Sequence, residues 1–275
     1  MVSNPEQPVG VFRVIPTMYE SDTAEIAEAL RESESLVVLT GAGISLAAGI
    51  PIYRGTDGEY IDKENDTWLW REAYDADPLK WYKRFWELHE TIRVAKPTLA
   101  HRALSALVET GVVSKIVTQN VDGLDLLAGT DKARVHEVHG IERSLSCTDL
   151  EGCNYAVPTD DWLHGHDTET LPTCPQDGLP LKPDVNLRHE PGYRQWNSND
   201  GIEGQRALEA ADAVVVVGTS FYVEPWPSII VEKHIEQKPV VIVNPRPTRL
   251  DTYARFLMRL TADEGLSLLQ EQLIN

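Results

Sequence analysis

Four short runs of β-branched and aliphatic residues, Leu36 to Thr40, Lys115 to Thr118, Ala213 to Val217 and Val240 to Val243, constrain the fold more than any other feature of this chain. None of them alternates apolar with polar positions. A strand that is apolar at successive positions is covered on both faces, which is the situation of a parallel sheet flanked by helices. Helical periodicity appears beside and between the runs, in Ser21 to Ser33, His101 to Glu109 and Gln205 to Ala211. The first has Ser21 or Asp22 as N-cap and carries Ile26, Ala29 and Leu30 on one face. The expectation is an α/β fold built on a Rossmann-like, doubly wound parallel sheet.

Two segments break the rhythm: Gly55 to Lys96, rich in Trp and Tyr, and Cys147 to Pro183, rich in Pro, Gly, Cys and Asp. Together they read as one smaller inserted lobe. The Rossmann-like part then covers about 21–55, 97–146 and 184–275, and the lobe about 56–96 and 147–183. Residues 1–20, with Pro5, Pro8, Gly10 and Pro16, read as an extended arm ahead of a single domain over 21–275.

The 275 residues carry 25 Lys and Arg against 43 Asp and Glu, a formal net charge of −18. Phosphate backbones are bound by clustered cations, so direct nucleic acid binding is not expected, whereas basic protein segments would be attracted. The same acidity keeps a protein soluble without any partner. The longest apolar runs, such as Ala213 to Gly218, are too short to span a bilayer, and the N-terminus has no basic-then-apolar export signal. No membrane association is expected, and a cytoplasmic or other intracellular place is the default. Three cysteines cannot make a fully paired disulfide framework, and the clustering of Cys147, Cys153 and Cys174 suggests a metal site or the relic of one.

Ligand chemistry begins at Thr40-Gly41-Ala42-Gly43-Ile44-Ser45, directly after the first strand and opening a short helix that runs to Gly49. Glycines let a backbone approach a ligand closely, and a helix N-terminus offers free N–H groups to a pyrophosphate. By itself the loop falls short of the dinucleotide fingerprint, because the third glycine comes only at Gly49, and a tight turn without a ligand also explains it. The context is richer. Gly41 to Gly55 reads GAGISLAAGIPIYRG, and Thr118-Gln119-Asn120-Val121-Asp122-Gly123-Leu124 closes the second strand. Both lie at C-terminal strand ends, where open parallel sheets bind ligands. His136-Glu137-Val138-His139-Gly140, Leu181-Lys182-Pro183, Gly218-Thr219-Ser220 and Asn244 follow in order.

In this order and spacing, from Leu36 to Asn244, the set resembles the sirtuin (Sir2-type) family of NAD-dependent protein deacylases. The resemblance implies a large Rossmann-like domain carrying a small lobe with a helical module and a zinc module. It implies that Gly41, Ala42, Gly43 and Ser45 cradle the NAD phosphates and that Arg54 orders the loop over the nicotinamide ribose. Gln119, Asn120, Val121 and Asp122 would hold ribose and carboxamide, with Asn120 and Asp122 acting at the reacting carbon. Gly218, Thr219 and Ser220 would take the adenosine half, and Asn244 with Arg246 its ribose. His139 would be the catalytic base, and an imidazole of intrinsic pKa about 6.5 can indeed take a hydroxyl proton at neutral pH. In that family the acyl-lysine amide oxygen attacks C1′ of the nicotinamide ribose and expels nicotinamide. The histidine then deprotonates a ribose hydroxyl that attacks the imidate, so the acyl group ends on ADP-ribose and the protein lysine is freed. His136 has no part in the pattern.

The chain also departs from that family. Five residues separate Cys147 from Cys153 where two are usual, and Asp177 stands where a fourth cysteine is usual. Zinc accepts aspartate oxygen, so Cys147, Cys153, Cys174 and Asp177 form an allowed ligand set, with His164 or His166 as substitutes and a metal-free lobe as the alternative. Ile52-Tyr53 replaces Asp-Phe, and Asp125 replaces His. After Val185, the Phe-Gly-Glu of the acyl channel is replaced by residues including Arg188 and His189. The loop Tyr53 to Tyr60 is nearest to class III, the branch that removes succinyl and malonyl groups with a Tyr-x-x-Arg pair. Those positions fall near Phe85 and Leu88, and the pair is missing; Trp81, Phe85 and Leu88 read instead as the core face of a helix. Val185 and Arg188 are the expected substrate contacts, with Arg188 a replacement cation for acidic acyl groups. Two other readings stand beside deacylation: NAD cleavage or ADP-ribose transfer on the same fold, which the altered channel favours, and a non-catalytic NAD-sensing module. Retention of Asn120, Asp122 and His139 together counts against the last.

Overall fold

The structure is a computed structural model that describes residues 23–52, 67–149, 151–190, 199–221, 230–232, 238–251 and 254–274. The strands are β1 (Leu36–Thr40), β2 (Lys115–Thr118), β3 (Val135–Glu137), β4 (Gly140–Cys147), β5 (Ala156–Pro158), β6 (Leu181–Val185), β7 (Ala213–Val217), β8 (Val240–Val243) and β9 (Phe256–Met258). The helices used below are α1 (Thr23–Arg31), α2 (Arg71–Ala76), α3 (Pro78–Val94), α4 (Leu99–Glu109), α5 (Leu124–Leu127), α6 (Thr159–Gly165), α7 (Asn199–Ala210) and α8 (Ala262–Ile274). Residues 1–20, the N-cap candidates Ser21 and Asp22, and Arg54 lie outside the described residues. Among the described residues no helix is long and apolar enough to cross a membrane.

The four apolar runs are β1, β2, β7 and β8, and they pair in parallel within a six-stranded sheet of order β3-β2-β1-β7-β8-β9. Their lack of alternation has the expected cause. Val38, Val215 and Val241 pack on one face against Leu104 and Leu107 of α4, Ile26 and Leu30 of α1, and Leu266 of α8. Their neighbours Val37, Val214 and Val240 pack on the other face, against Leu208 of α7. Two edge strands were not anticipated, because β3 and β9 are three residues each and too short to carry a periodic signal.

The segment after β1 turns helical as expected, in the form of two 3-10 turns, Ala42–Ile44 and Leu46–Ala48, and ends at Gly49 in the left-handed region with φ +86°. The Gly43 N–H is spent on the Gly218 carbonyl, 2.9 Å away, so the chain is pinned sideways to the loop after β7 instead of winding on itself.

A second, antiparallel sheet, β5-β4-β6, covers a separate core with α2, α3 and α6. That core is aromatic. The Tyr74 and Tyr82 hydroxyls both donate to the Leu181 carbonyl, at 3.2 and 2.8 Å. Trp86 of α3 stacks on Trp162 of α6 with ring centroids 5.5 Å apart. Buried His89 ties the same elements together: its Nδ1 bonds the Glu142 carboxylate of β4 and its Nε2 lies 3.2 Å from Asp160 of α6. Burial opposes the charged ring, but the Glu142 bond and the charges of Glu142 and Asp160 outweigh it and raise the pKa.

Candidate active site

Strand order reverses between β1 and β7, and a crevice opens there at the C-terminal ends of the strands. The loops that follow these two strands touch backbone to backbone. A Cβ on Gly43 would lie 2.7 Å from the Gly218 Cα, and one on Gly41 would lie 2.7 Å from the Thr219 Cβ. Gly218 itself has φ +66°. Glycine is therefore required here by the crossing of two loops as well as by any ligand.

A cavity of about 740 Å³ runs through the crevice and brings together most of the residues singled out from the sequence. Gly41, Ala42 and Gly43 form one wall with Gly218, Thr219 and Ser220, and Asn244 and Arg246 extend it. Gln119, Asn120, Val121 and Asp122 also line it, together with His139, Val185 and Arg188. The Asn244 Nδ2 donates to the Thr219 carbonyl at 3.1 Å, joining the loops after β7 and β8.

Ser45 is fully buried, and its hydroxyl donates to Asp122 Oδ2 at 2.7 Å, so it holds Asp122 in place. The Asn120 Nδ2 donates to the Gly41 carbonyl at 3.2 Å and to Ser45 Oγ at 3.3 Å, so the two loops hold each other. Burial raises the Asp122 pKa, opposed by its bonds from the Leu124 N–H (2.9 Å) and from Ser45. On α5, behind this network, buried Asp125 is pushed up to about 8 by burial and by the charges of Asp122 and Glu137. It is thus largely neutral at pH 7, which lets a carboxyl group replace the usual histidine without placing a second charge beside Asp122.

His139 follows β3 and is held at its backbone, where the Asn186 N–H donates to its carbonyl at 2.9 Å and the Asn186 Nδ2 donates to the Val138 carbonyl at 3.3 Å. Burial lowers the His139 pKa to about 4, against the opposing effect of a hydrogen bond with the Gln119 backbone. The ring is therefore neutral at neutral pH and able to accept a proton. His136 is buried away from the cavity, with Nδ1 3.8 Å from Asp200 of α7.

In the sequence Lys182 is one residue of a motif, and the structure ties it into a network. Its Nζ donates to the Val185 carbonyl at 2.6 Å and the Pro183 carbonyl at 3.0 Å, and pairs with Glu190 at 3.2 Å. Burial lowers its pKa, partly offset by Glu190. Glu190 also takes Arg71 Nη1 at 3.1 Å, so α2 and the end of β6 are fastened together around the turn that presents Val185 and Arg188. No sequence signal marks this role, because Glu190 and Arg71 join it only through folding.

The three cysteines and Asp177 converge in the small lobe, with their ligand atoms all within 4.8 Å of one another. Sγ of Cys153 and Cys174 are 3.6 Å apart, and Sγ of Cys147 is 3.1 Å from Asp177 Oδ2. A tetrahedral site with Zn–S bonds of about 2.3 Å has a sulfur–sulfur edge of roughly 3.8 Å, so the geometry fits zinc. Each sulfur accepts a backbone N–H from two residues on, Asp149, Tyr155 and Gln176, at 3.4 Å. His164 and His166 are not in the cluster, as their Nδ1 atoms bond the carbonyls of Asp160 and Trp162. Protein purified without chelator is expected to carry about one zinc per chain, and Cys174→Ser to lose it and unfold at least ~10 °C lower, because the ion is coupled to folding of its lobe. Metal analysis together with thermal unfolding reads this out; metal-free protein as stable as its zinc-supplemented form would mark a relic.

A Rossmann-like sheet with an open crevice at its switch point, glycine loops crossing there and a neutral histidine beside them defines a dinucleotide-dependent enzyme with an inserted lobe. The Sir2 family model matches residues 41–225, and the chain belongs to that family. A protein of Haloarcula marismortui named NAD-dependent protein deacetylase is 34% identical over 265 residues, covering 90% of this chain and 93% of its own length. Among solved structures, a Sir2 homologue bound to ADP-ribose superposes with TM-score 0.79 at 30% identity, covering 91% of this chain and 96% of that one. A Sir2 protein with a p53 peptide and NAD+ superposes with TM-score 0.76 at 26% identity, covering 91% of this chain and 98% of that one.

Proposed function

We propose that this chain removes acyl groups from lysine side chains of proteins in an NAD-dependent reaction that releases nicotinamide and an acyl-ADP-ribose. The observation that carries the reading is one continuous cavity in which the neutral His139 imidazole shares a wall with the dinucleotide loops and the Asn120–Asp122 segment. NAD supplies a ribose carbon from which nicotinamide can leave. The glycine loops after β1 and β7 take its phosphates and adenosine half, with Asn244 and Arg246 at the far ribose. Asn120 and Asp122, immobilised by Ser45 and the Gly41 carbonyl, orient ribose and carboxamide at the reacting carbon. His139 takes the ribose hydroxyl proton. Val185 and Arg188 flank the acyl-lysine, and residues 21–275 act as one catalytic domain. The chain is taken to act inside the cell and without touching nucleic acid, the latter on the strength of its −18 net charge.

The test follows nicotinamide release from NAD with and without an acyl-lysine peptide. Release at least tenfold faster with peptide, matched by loss of the peptide's acyl mass, is the expected result. Release at one rate in both conditions would assign the chain to NAD cleavage instead.

A further inference from the structure

The loop that leaves β8, Asn244-Pro245-Arg246-Pro247, lines the cavity over four successive residues, and its sequence makes it stiff. Each proline fixes its own φ, drives the residue before it towards an extended backbone and has no N–H to offer a ligand. Tertiary bonds fix the loop further. The Asn244 Nδ2 donates to the Thr219 carbonyl at 3.1 Å and its Oδ1 accepts the Arg246 N–H at 3.1 Å, so both ends of that side chain are engaged within the protein. Arg259, which follows β9, donates through Nη1 to the Arg246 carbonyl at 3.1 Å and the Asn244 carbonyl at 3.4 Å, while its Nη2 pairs with Asp251.

The Arg246 guanidinium is left over. It is exposed and, among the described residues, has no hydrogen bond or ion pair, whereas Arg249 and Arg259 beside it pair with Glu232 and Asp251. Carboxylates are plentiful in a chain of net charge −18, yet none has been set against this cation. The two on the described cavity wall are turned to other donors: Asp122 accepts from Ser45 and the Leu124 N–H, and Asp263 accepts the Ala100 N–H at 2.8 Å. The other cation of that wall, Arg188, has its guanidinium carbon over the Trp70 ring, 5.7 Å from the centroid. In dinucleotide sites a carboxylate accepts from the hydroxyls of a bare adenosine ribose, and an arginine accommodates a phosphate on that ribose. Residues 244–247 carry no carboxylate and one guanidinium.

We propose that Arg246 opens the adenosine-ribose subsite to a 2′-phosphate, so that NADP serves this chain as a co-substrate beside NAD. The inference rests on the deacylase reading, which sets the adenosine half against the loops after β7 and β8, and it specifies the dinucleotide. A phosphate monoester carries nearly two negative charges, and a guanidinium meets two of its oxygens at once through parallel N–H···O bonds. With the loop pinned at its backbone, binding has little left to order except the arginine side chain itself. The reaction is unaltered by the extra group. The acyl-lysine amide oxygen still displaces nicotinamide, one water is consumed, the lysine is freed, and the acyl group ends on an ADP-ribose that keeps its adenosine 2′-phosphate.

Calorimetric titration of NAD, NADP, ADP-ribose and 2′-phospho-ADP-ribose reads the subsite without turnover, and nicotinamide release with an acyl-lysine peptide is then followed for each dinucleotide. The native protein is expected to bind each phosphorylated ligand tighter than its parent or within about threefold of it, and to release nicotinamide from NADP when peptide is present. Arg246→Ala should raise the ratio of the NADP Kd to the NAD Kd roughly ten- to thirtyfold, and Arg246→Glu at least ~100-fold by adding repulsion. The ratio cancels whatever both ligands lose at the ribose, and the bonds that pin the loop survive both changes because they use the Arg246 backbone. NADP bound more than about threefold weaker than NAD, a ratio moved by neither variant, or NADP bound but not consumed would each overturn the assignment while NAD-dependent deacylation stands. If neither dinucleotide releases nicotinamide in response to peptide, the deacylase reading falls and takes this one with it.

Discussion

His139→Ala is expected to lower acyl-peptide turnover by roughly 10²- to 10⁴-fold, the usual range for a positioned general base, while NAD binding changes little. The asymmetry follows from where the ring sits. The loops that would take the phosphates and adenosine, Gly41–Gly43 and Gly218–Ser220, are joined through Gly43 to Gly218 and do not depend on the imidazole. Direct NAD titration beside peptide turnover separates the two effects. The pKa adds a second signature. With His139 held at about 4 by burial, the base is unprotonated throughout the neutral range, so no loss of kcat/KM from this residue is expected until the pH falls towards that value. An unperturbed histidine would begin to lose activity near pH 6.5. Unchanged turnover in the variant would take the base role from His139.

Gly43→Val should cost even more, because it damages cofactor site and fold together. Its Cβ would fall 2.7 Å from the Gly218 Cα and 2.8 Å from the Gly218 carbonyl oxygen, and these are backbone atoms with no rotamer to change. The loops after β1 and β7 would have to separate, breaking the 2.9 Å bond from the Gly43 N–H to the Gly218 carbonyl. NAD affinity is expected to fall at least ~100-fold and stability by about 1 to 3 kcal/mol. Gly49→Ala is the contrast. It meets nothing within 4 Å but must hold φ +86°, so it should lose about 1 kcal/mol of stability and keep its affinity for NAD. Calorimetric NAD titration and denaturant unfolding of the two variants measure both quantities. Equal NAD affinities would mean that the contact between the two loops is not what shapes the phosphate site.

How far the sequence could be read depended on whether the controlling physics was local. The four central strands were legible because burial on both faces writes itself directly into consecutive residues. The acyl end was legible only in part: the helical spacing of Trp81, Phe85 and Leu88 correctly placed a core face, but spacing does not say that the same face also borders a cavity. Arg188 shows the opposite gap, since its residue type suggested a carboxylate partner while its surroundings place it over Trp70.

The chain by itself determined the four central strands and the glycine positions, because each rests on period or backbone freedom within a few residues, while the Asn120 to Asp122 motif and the candidate base were legible through a resemblance that spans the chain. Only the tertiary structure decided what those groups do to one another. Ser45 sits in a loop that reads as phosphate-binding, and its hydroxyl reaches Asp122, 77 residues away in sequence. Asp177 joins Cys147 from 30 residues away to complete a ligand set that cysteine spacing left open. Lys182 was one letter of a motif until Glu190, Arg71 and the Val185 carbonyl closed around it. In each case the partner comes from another element, and a polar or charged group taken out of water must be satisfied by whatever folding brings within reach.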